Sequence, residues 1–364
     1  MIDLPVVQRR RGLARTRAAL ASGTLRLGFI GGSITAPEYN TWPEGVISWF
    51  TENFPKVRVH VENVAIGATG SELGVFRAQR DLIERRCDLV FFEYATNDHD
   101  ADRAERRRTQ EGLVRALLAT KDRDVVFTYT YCPAFYADMV AGVMPQSISD
   151  LEEIAAHYGI GSVWMGLHAL RENRIGRMRW EEWLPDGLHP TERGSWSYAS
   201  AVRTFLDEEL LGEGSPGGVA AGDRRPAPLD ADNWELATSV PLDDLELAGP
   251  WTLRRCKHWW ADRLLETAAV GARLAFDFTG RALCLGFDFG RTSSEFRYRL
   301  DDAEWVQVAR DRPDWCGDSG WFRLFRVPGE LPTGPHRMEI EVTHGVEPDC
   351  GGTNFRLALV GVVP

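Results

Sequence analysis

Continuous apolar runs alternate with longer amphipathic stretches over residues 1–211. The runs 25–30, 57–64, 88–94, 125–131 and 162–167 read as strands, and stretches such as 71–86 and 103–120 read as helices. Strands that are apolar without alternation are covered on both faces. This predicts an α/β domain with a parallel sheet between two helical layers, joined by right-handed crossovers. Residues 212–228 lose the periodicity, are rich in Gly, Pro and Ala, and read as a linker. Beyond them the texture changes. Short runs at 274–278, 282–289, 296–300, 305–308, 321–327, 336–342 and 354–360, with turn residues between them, predict an antiparallel sandwich of jelly-roll type over 229–364.

Composition agrees with two folded domains. The chain has 364 residues, 44% hydrophobic and 26% charged, enough to bury a sizeable core without disulfides. A formal net charge of -11 repels phosphate backbones, which argues against a nucleic-acid partner. The basic cluster Arg9, Arg10, Arg11, Arg15 and Arg17 reads as the solvated face of a short helix. No run has the length and apolarity of a membrane helix, and the start lacks the basic-then-apolar pattern of a secretory signal, so no membrane partner and a cytoplasmic location are expected. The six cysteines, Cys87, Cys132, Cys256, Cys284, Cys316 and Cys350, contain no C-x-x-C pair and should be reduced there. Cys256 with His258, or Cys316 with Cys350, are the candidate zinc ligands, at a spacing that matches no standard site.

Candidate chemistry lies in the turns after the strand runs of the first domain. In parallel α/β sheets the ligand crevice forms at the carboxyl ends of the strands. Gly31-Gly32-Ser33-Ile34-Thr35 follows the first run, where Ser33 either presents its hydroxyl to a substrate or caps a backbone group. Asp186-Gly187-Leu188-His189-Pro190 follows the last run. Serine is a weak nucleophile, so it needs a base such as His189 and a carboxylate such as Asp186 to hold the imidazole; the alternative is a surface loop with an ordinary histidine. Asn97, after the third run, carries an amide donor that can stabilise an oxyanion, and the Gly67 N–H, after the second, is another; both are also ordinary turn residues. Taken singly these signals are weak. Together they form an ordered set along one predicted sheet edge.

This ordered set resembles the SGNH (GDSL-like) hydrolase superfamily over about residues 25–201. Ser33 matches its nucleophile, Gly67 and Asn97 its glycine and asparagine blocks, and Asp186 with His189 its closing D-x-x-H. The resemblance implies a flavodoxin-like three-layer fold with strand order 2-1-3-4-5. It also implies an oxyanion hole made of the Ser33 and Gly67 N–H groups and the Asn97 amide. Two positions depart from the common pattern: Gly32 stands where many members have aspartate, and Ala95 where many have glycine. GGSIT is similar to the branch met among two-domain carbohydrate esterases.

The implied activity is hydrolysis of an ester, an O-acetyl group on a saccharide, through an acyl-enzyme, with no cofactor or metal required. A sugar O-acyltransferase would use the same triad, and a non-catalytic carbohydrate-binding protein could retain the fold. Trp180 and Trp183 either wall the site, where sugars stack, or pack the loop before Asp186. Trp259, Trp260, Trp305, Trp315 and Trp321 pose the same choice in the second domain, among 13 tryptophans in all. Asp98, His99 and Asp100 either cluster around a metal or, as expected, form a solvated turn after Asn97.

Overall fold

The apolar runs of the first half become one six-stranded sheet in the computed structural model, which describes residues 3–37, 41–212, 225–256, 260–314, 316 and 321–364. The strands are β1 (Val7–Gln8), β2 (Thr24–Gly31), β3 (Arg58–Asn63), β4 (Leu89–Glu93), β5 (Asp124–Thr128) and β6 (Gly161–Val163). Their spatial order is β1-β6-β5-β4-β2-β3. The pairs among β2 to β6 are parallel, and β1 adds an antiparallel edge to β6. Without β1 this is the 2-1-3-4-5 order expected of a flavodoxin-like sheet. Leu25, Leu27, Phe29 and Ile30 of β2, and every residue of β4, are fully buried, as strands covered on both faces must be.

The direction of each crossover sorts the helices. The chain moves from β2 outward to β3, then back across β2 to β4 and onward to β6. Right-handed connections therefore place Trp42–Asn53 on one face, and Ser71–Ala78, Arg103–Leu118 and Gln146–Tyr158 on the other. Two elements differ from the reading of the sequence. The run 162–167 is a strand only to Val163, and a helix begins at Met165. Its apolar residues are buried in either conformation, so periodicity could not separate the two. The stretch 71–86 is α-helical to Ala78 and then widens into a π turn, Gln79–Ile83.

The chain divides into two units, Met1–Glu235 and Leu236–Pro364, so the boundary lies beyond the 212–228 stretch singled out by composition. Residues 213–224 of that stretch are outside the described residues, as are His258, Trp259 and Trp315. The segment that follows is strapped to the first unit. Glu111, buried in the helix Arg103–Leu118, accepts the N–H groups of Leu229 and Asp230 at 2.6 and 2.8 Å. Arg115 reaches the Pro226 carbonyl and the Glu235 carboxylate, both at 2.8 Å. Trp234 is 2% exposed and donates its N–H to the Arg108 carbonyl.

The basic cluster is only partly a solvated helix face. Arg15 and Arg17 lie exposed on the helix Ala14–Ser22, but Arg9 and Arg10 precede it and pair with Glu209 and Glu152 at 2.8 and 2.6 Å. These carboxylates come from distant parts of the chain, which local sequence does not reveal. No helix among the described residues is long and apolar enough to cross a membrane.

The second unit is all-β. Its strands are β7 (Thr238–Ser239), β8 (Glu246–Ala248), β9 (Thr252–Arg255), β10 (Arg263–Thr267), β11 (Arg273–Thr279), β12 (Ala282–Phe289), β13 (Glu295–Leu300), β14 (Val306–Val308), β15 (Trp321–Arg326), β16 (Pro335–Thr343) and β17 (Phe355–Val363). They form two antiparallel sheets, β15-β12-β17-β10-β9 with β7 beside β17, and β14-β13-β16-β11-β8. Leu283, Leu285 and Leu357 from one sheet and Phe276, Phe296 and Ile340 from the other share one core, which is the jelly-roll-like sandwich expected. In β16 the pattern is strictly alternate: His336, Met338, Ile340 and Val342 are buried. The residues between them point outward, where Glu341 pairs with Arg273 and Arg297 at 2.6 and 2.8 Å. β7 to β10 have no counterpart among the predicted runs, because they are short and mostly polar or exposed.

Trp234→Ala should lower the stability of the first unit by about 3–5 kcal/mol, the usual cost of deleting a fully buried large aromatic side chain. Leu236, two residues on and 69% exposed, serves as the control. Leu236→Ala should move the same transition by less than about 0.5 kcal/mol. Denaturant unfolding read by far-UV circular dichroism checks both.

Candidate active site

The Asp186–His189 loop is organised by a single carboxylate. Asp186 Oδ1 accepts the N–H groups of Leu188 and His189 at 2.8 and 2.7 Å. Gly187 sits between Asp186 and Leu188 at φ +84°, a left-handed conformation that glycine adopts without penalty. The other oxygen, Oδ2, lies 2.7 Å from His189 Nδ1. Burial works to raise the Asp186 carboxyl, but the Leu188 N–H, the His189 ring and the His189 N–H together hold it below the ordinary carboxylate range. An ionised carboxylate can only accept, so the proton on the ring belongs on Nδ1 and Nε2 is left as an acceptor.

That acceptor faces Ser33. Ser33 Oγ is 2.8 Å from His189 Nε2, across 156 residues of sequence, and the tautomer makes the hydroxyl the donor. His189 and Asp186 keep 48% and 54% of their side-chain surface exposed, so the relay opens to solvent. Thr191, which accepts the Gly194 N–H, caps the helix Glu192–Leu206 directly after the loop and fixes its exit.

The other predicted residues come to the same place. A Cβ at Gly67 would lie 3.5 Å from Ser33 Cβ. Ala68, the next residue, has φ +55°, a strained conformation for a residue with a Cβ and of the kind that collects at functional sites. The Asn97 side chain lies against the Gly32 backbone. A Cβ at position 32 would come within 1.8 Å of Asn97 Oδ1, so the space an aspartate would take there is filled by Asn97.

Several supporting residues escaped the sequence reading. Asn63 donates from Nδ2 to the Thr35 carbonyl at 2.7 Å and accepts the Ala65 N–H at 3.2 Å, joining the turn after β3 to the turn carrying Ser33. Glu93 ends the apolar strand β4 and is fully buried. Burial pushes its carboxyl up to about 7, against the pull of hydrogen bonds from Thr130, Thr35 and the Gly32 N–H. The available signal was a charged residue closing an otherwise apolar run, which demands hydrogen-bond partners. The expected solvated turn holds for His99 and Asp100, which are exposed on a turn, and is corrected at Asp98. Asp98 is 4% exposed, takes the Ser71 N–H at 3.0 Å at the start of the helix Ser71–Ala78, and takes Gln110 Nε2 at 2.9 Å. Burial pushes the Asp98 carboxyl up, against the pull of its hydrogen bonds from Ser71 and Gln110, which supply the partners a buried carboxyl demands.

Trp183 is fully buried between Tyr131 and Trp180, with ring centroids at 5.0 and 5.1 Å, so it packs the loop. Trp180 is half-buried beside Tyr136 and retains exposed surface. In the second unit, Trp305 is flanked by the Arg297 and Arg299 guanidinium groups at 4.9 and 5.1 Å, Trp260 lies near Phe322, and Trp321 packs on the sandwich core. All six cysteines are buried free thiols. Among the described residues, no group of three or more His, Cys, Asp or Glu side chains is placed to hold a metal ion.

No protein-family model matches the chain, and no curated protein sequence does. Solved structures do match. The chain is similar to a two-domain esterase active on acetylated mannans, with a TM-score of 0.81 at 23% identity. It is similar also to that esterase co-crystallised with mannopentaose, with a TM-score of 0.78 at 24% identity. Each match covers 98% of this chain and 96% of the other. The chain therefore has the fold of that two-domain esterase, a flavodoxin-like α/β unit followed by an all-β sandwich.

Proposed function

We propose that this chain is a serine esterase of the SGNH type that removes O-acetyl groups from a carbohydrate through an acetyl-enzyme. The observation that carries the reading is the continuous line from Asp186 Oδ2 through the His189 ring to Ser33 Oγ, with contacts of 2.7 and 2.8 Å. The saccharide substrate is supported by fold likeness to an esterase active on acetylated mannans, which was also co-crystallised with mannopentaose.

The chemistry follows from the tautomer. Ser33 Oγ attacks the acetyl carbonyl carbon while its proton passes to His189 Nε2. The imidazolium formed is stabilised by the ionised Asp186. The carbonyl oxygen becomes an oxyanion, for which the N–H groups of Ser33 and Gly67 and the Asn97 amide are the proposed donors. The intermediate collapses, the C–O bond to the sugar breaks, and His189 gives its proton to the departing alkoxide. Water then attacks the acetyl-enzyme with His189 again as base, releasing acetate and restoring Ser33. Asp186 and His189 are exposed, so an ester can approach Ser33 from solvent.

Three outcomes are expected. Ser33→Ala should abolish turnover of p-nitrophenyl acetate and labelling by a fluorophosphonate, with the circular dichroism spectrum unchanged; wild-type turnover in the folded variant refutes the nucleophile. Asn97→Ala should lower kcat by about 10²–10³ with little change in KM, as loss of one oxyanion donor does. A change confined to KM would make Asn97 a binding residue. Asp186→Asn replaces an acceptor with an amide that favours the wrong tautomer of His189, and should lower kcat by on the order of 10⁴. Steady-state kinetics at fixed pH, with melting curves to check folding, reads both.

A further inference from the structure

Glu93 stands outside the relay yet touches both sides of the nucleophile. Its Oε2 accepts the N–H of Gly32, the residue before Ser33, at 3.4 Å, and the hydroxyl of Thr35, two residues after it, at 3.1 Å. Its Oε1 accepts the Thr130 hydroxyl, beyond the end of β5, at 2.8 Å. The direction of the Thr35 bond is fixed by a neighbour. Trp42 Nε1, which can only donate, reaches Thr35 Oγ at 3.1 Å, so the Thr35 hydrogen is left for Glu93. Thr130 is steadied in turn by the Thr96 hydroxyl at 2.7 Å, on the turn that carries Asn97. Glu93, Thr35 and Thr130 are all without solvent exposure. Burying a carboxyl this way is unfavourable unless hydrogen-bond partners offset the loss of water. An apolar residue would have completed β4 without that cost.

We propose that Glu93 is a positioning residue for Ser33. One oxygen gathers the donors on either side of the nucleophile and fixes its turn; the other ties that turn to the end of β5. The inference rests on the reading of Ser33 as the nucleophile. Glu93 acts as an acceptor and not through its charge. In either protonation state Oε2 keeps its two donors, since a proton on Oε1 can be given to Thr130, whose hydroxyl then turns toward Thr96. Glutamine meets the same demands, with its carbonyl toward Gly32 and Thr35 and its amide toward Thr130. Leucine fills the space and meets none of them.

The test compares full-length Glu93→Leu, Glu93→Gln and Thr35→Val with wild type. The rate of Ser33 labelling by a fluorophosphonate reports nucleophile geometry, p-nitrophenyl acetate gives kcat and KM, and circular dichroism reports folding. Glu93→Leu should lower the labelling rate and kcat by about 100-fold with KM within about threefold, the scale expected when a reacting atom is misplaced by about an ångström. Glu93→Gln should stay within about tenfold of wild type, and Thr35→Val should lose about tenfold in labelling rate. Wild-type labelling in folded Glu93→Leu overturns the proposal, as does Glu93→Gln labelling as slowly as Glu93→Leu. If Glu93→Leu does not fold, Thr35→Val decides, and labelling at the wild-type rate in that variant overturns it. A wild-type chain that is not labelled at Ser33 refutes the esterase reading itself, an outcome separate from any difference among the variants.

Discussion

The parallel register of β2 with its two neighbours is the constraint on which the site depends. Gly31 pairs with Glu93 across β2 and β4, and Phe29 pairs with Asn63 across β2 and β3. This brings the carboxyl ends of the three strands to one edge, so the turns that follow must share a small volume. Ser33, Gly67 and Asn97 occupy that volume because each lies a few residues beyond the end of its own strand. The crevice at the end of a parallel sheet is thus a product of strand register before any particular side chain is considered.

Crowding at this edge is resolved with polar groups where an ordinary core would use methyls. Glu93, Thr35, Thr96 and Thr130 form a connected buried network, and Asp98 with Ser71, Thr109 and Gln110 forms a second beside it. Hydrogen bonds have preferred directions and dispersion does not, so such networks fix angles as well as distances. Their desolvation cost is set against sheet burial that is nearly complete in β2 and β4. The strained Ala68 beside Gly67 fits the same picture, in which a rigid sheet carries local strain at the functional edge.

The second unit is stabilised differently. One apolar core between two sheets does most of the work, and the outward positions of β11, β13 and β16 carry a ladder of arginine–carboxylate pairs. Solvent screening keeps such surface pairs weak, so the apolar core carries most of the stability. The tryptophans that drew attention in the sequence divide between roles, with Trp321 packed on the core and Trp305 in cation–π contact with the Arg297 and Arg299 guanidinium groups.

What the sequence determined by itself was whatever depends on local pattern. Unbroken apolar runs separated by amphipathic stretches were enough for the parallel sheet, whose strand order came from the family resemblance of the motifs, and short runs between turn residues were enough for the main strands of the sandwich. The motifs Gly31–Thr35 and Asp186–Pro190 were readable because glycine, proline and short polar side chains act on the backbone next to them. The tertiary structure decided everything that joins residues far apart. It placed Ser33 against His189 across 156 residues, buried Asp98 where a solvated turn was expected, and assigned the run after Val163 to a helix. It gave Glu93 its three donors from two distant turns and strapped residues 225–235 to the helix Arg103–Leu118. The physical reason is one of range: propensity and periodicity act over a few residues, whereas the partner of a buried polar atom is set by the packing of the whole unit.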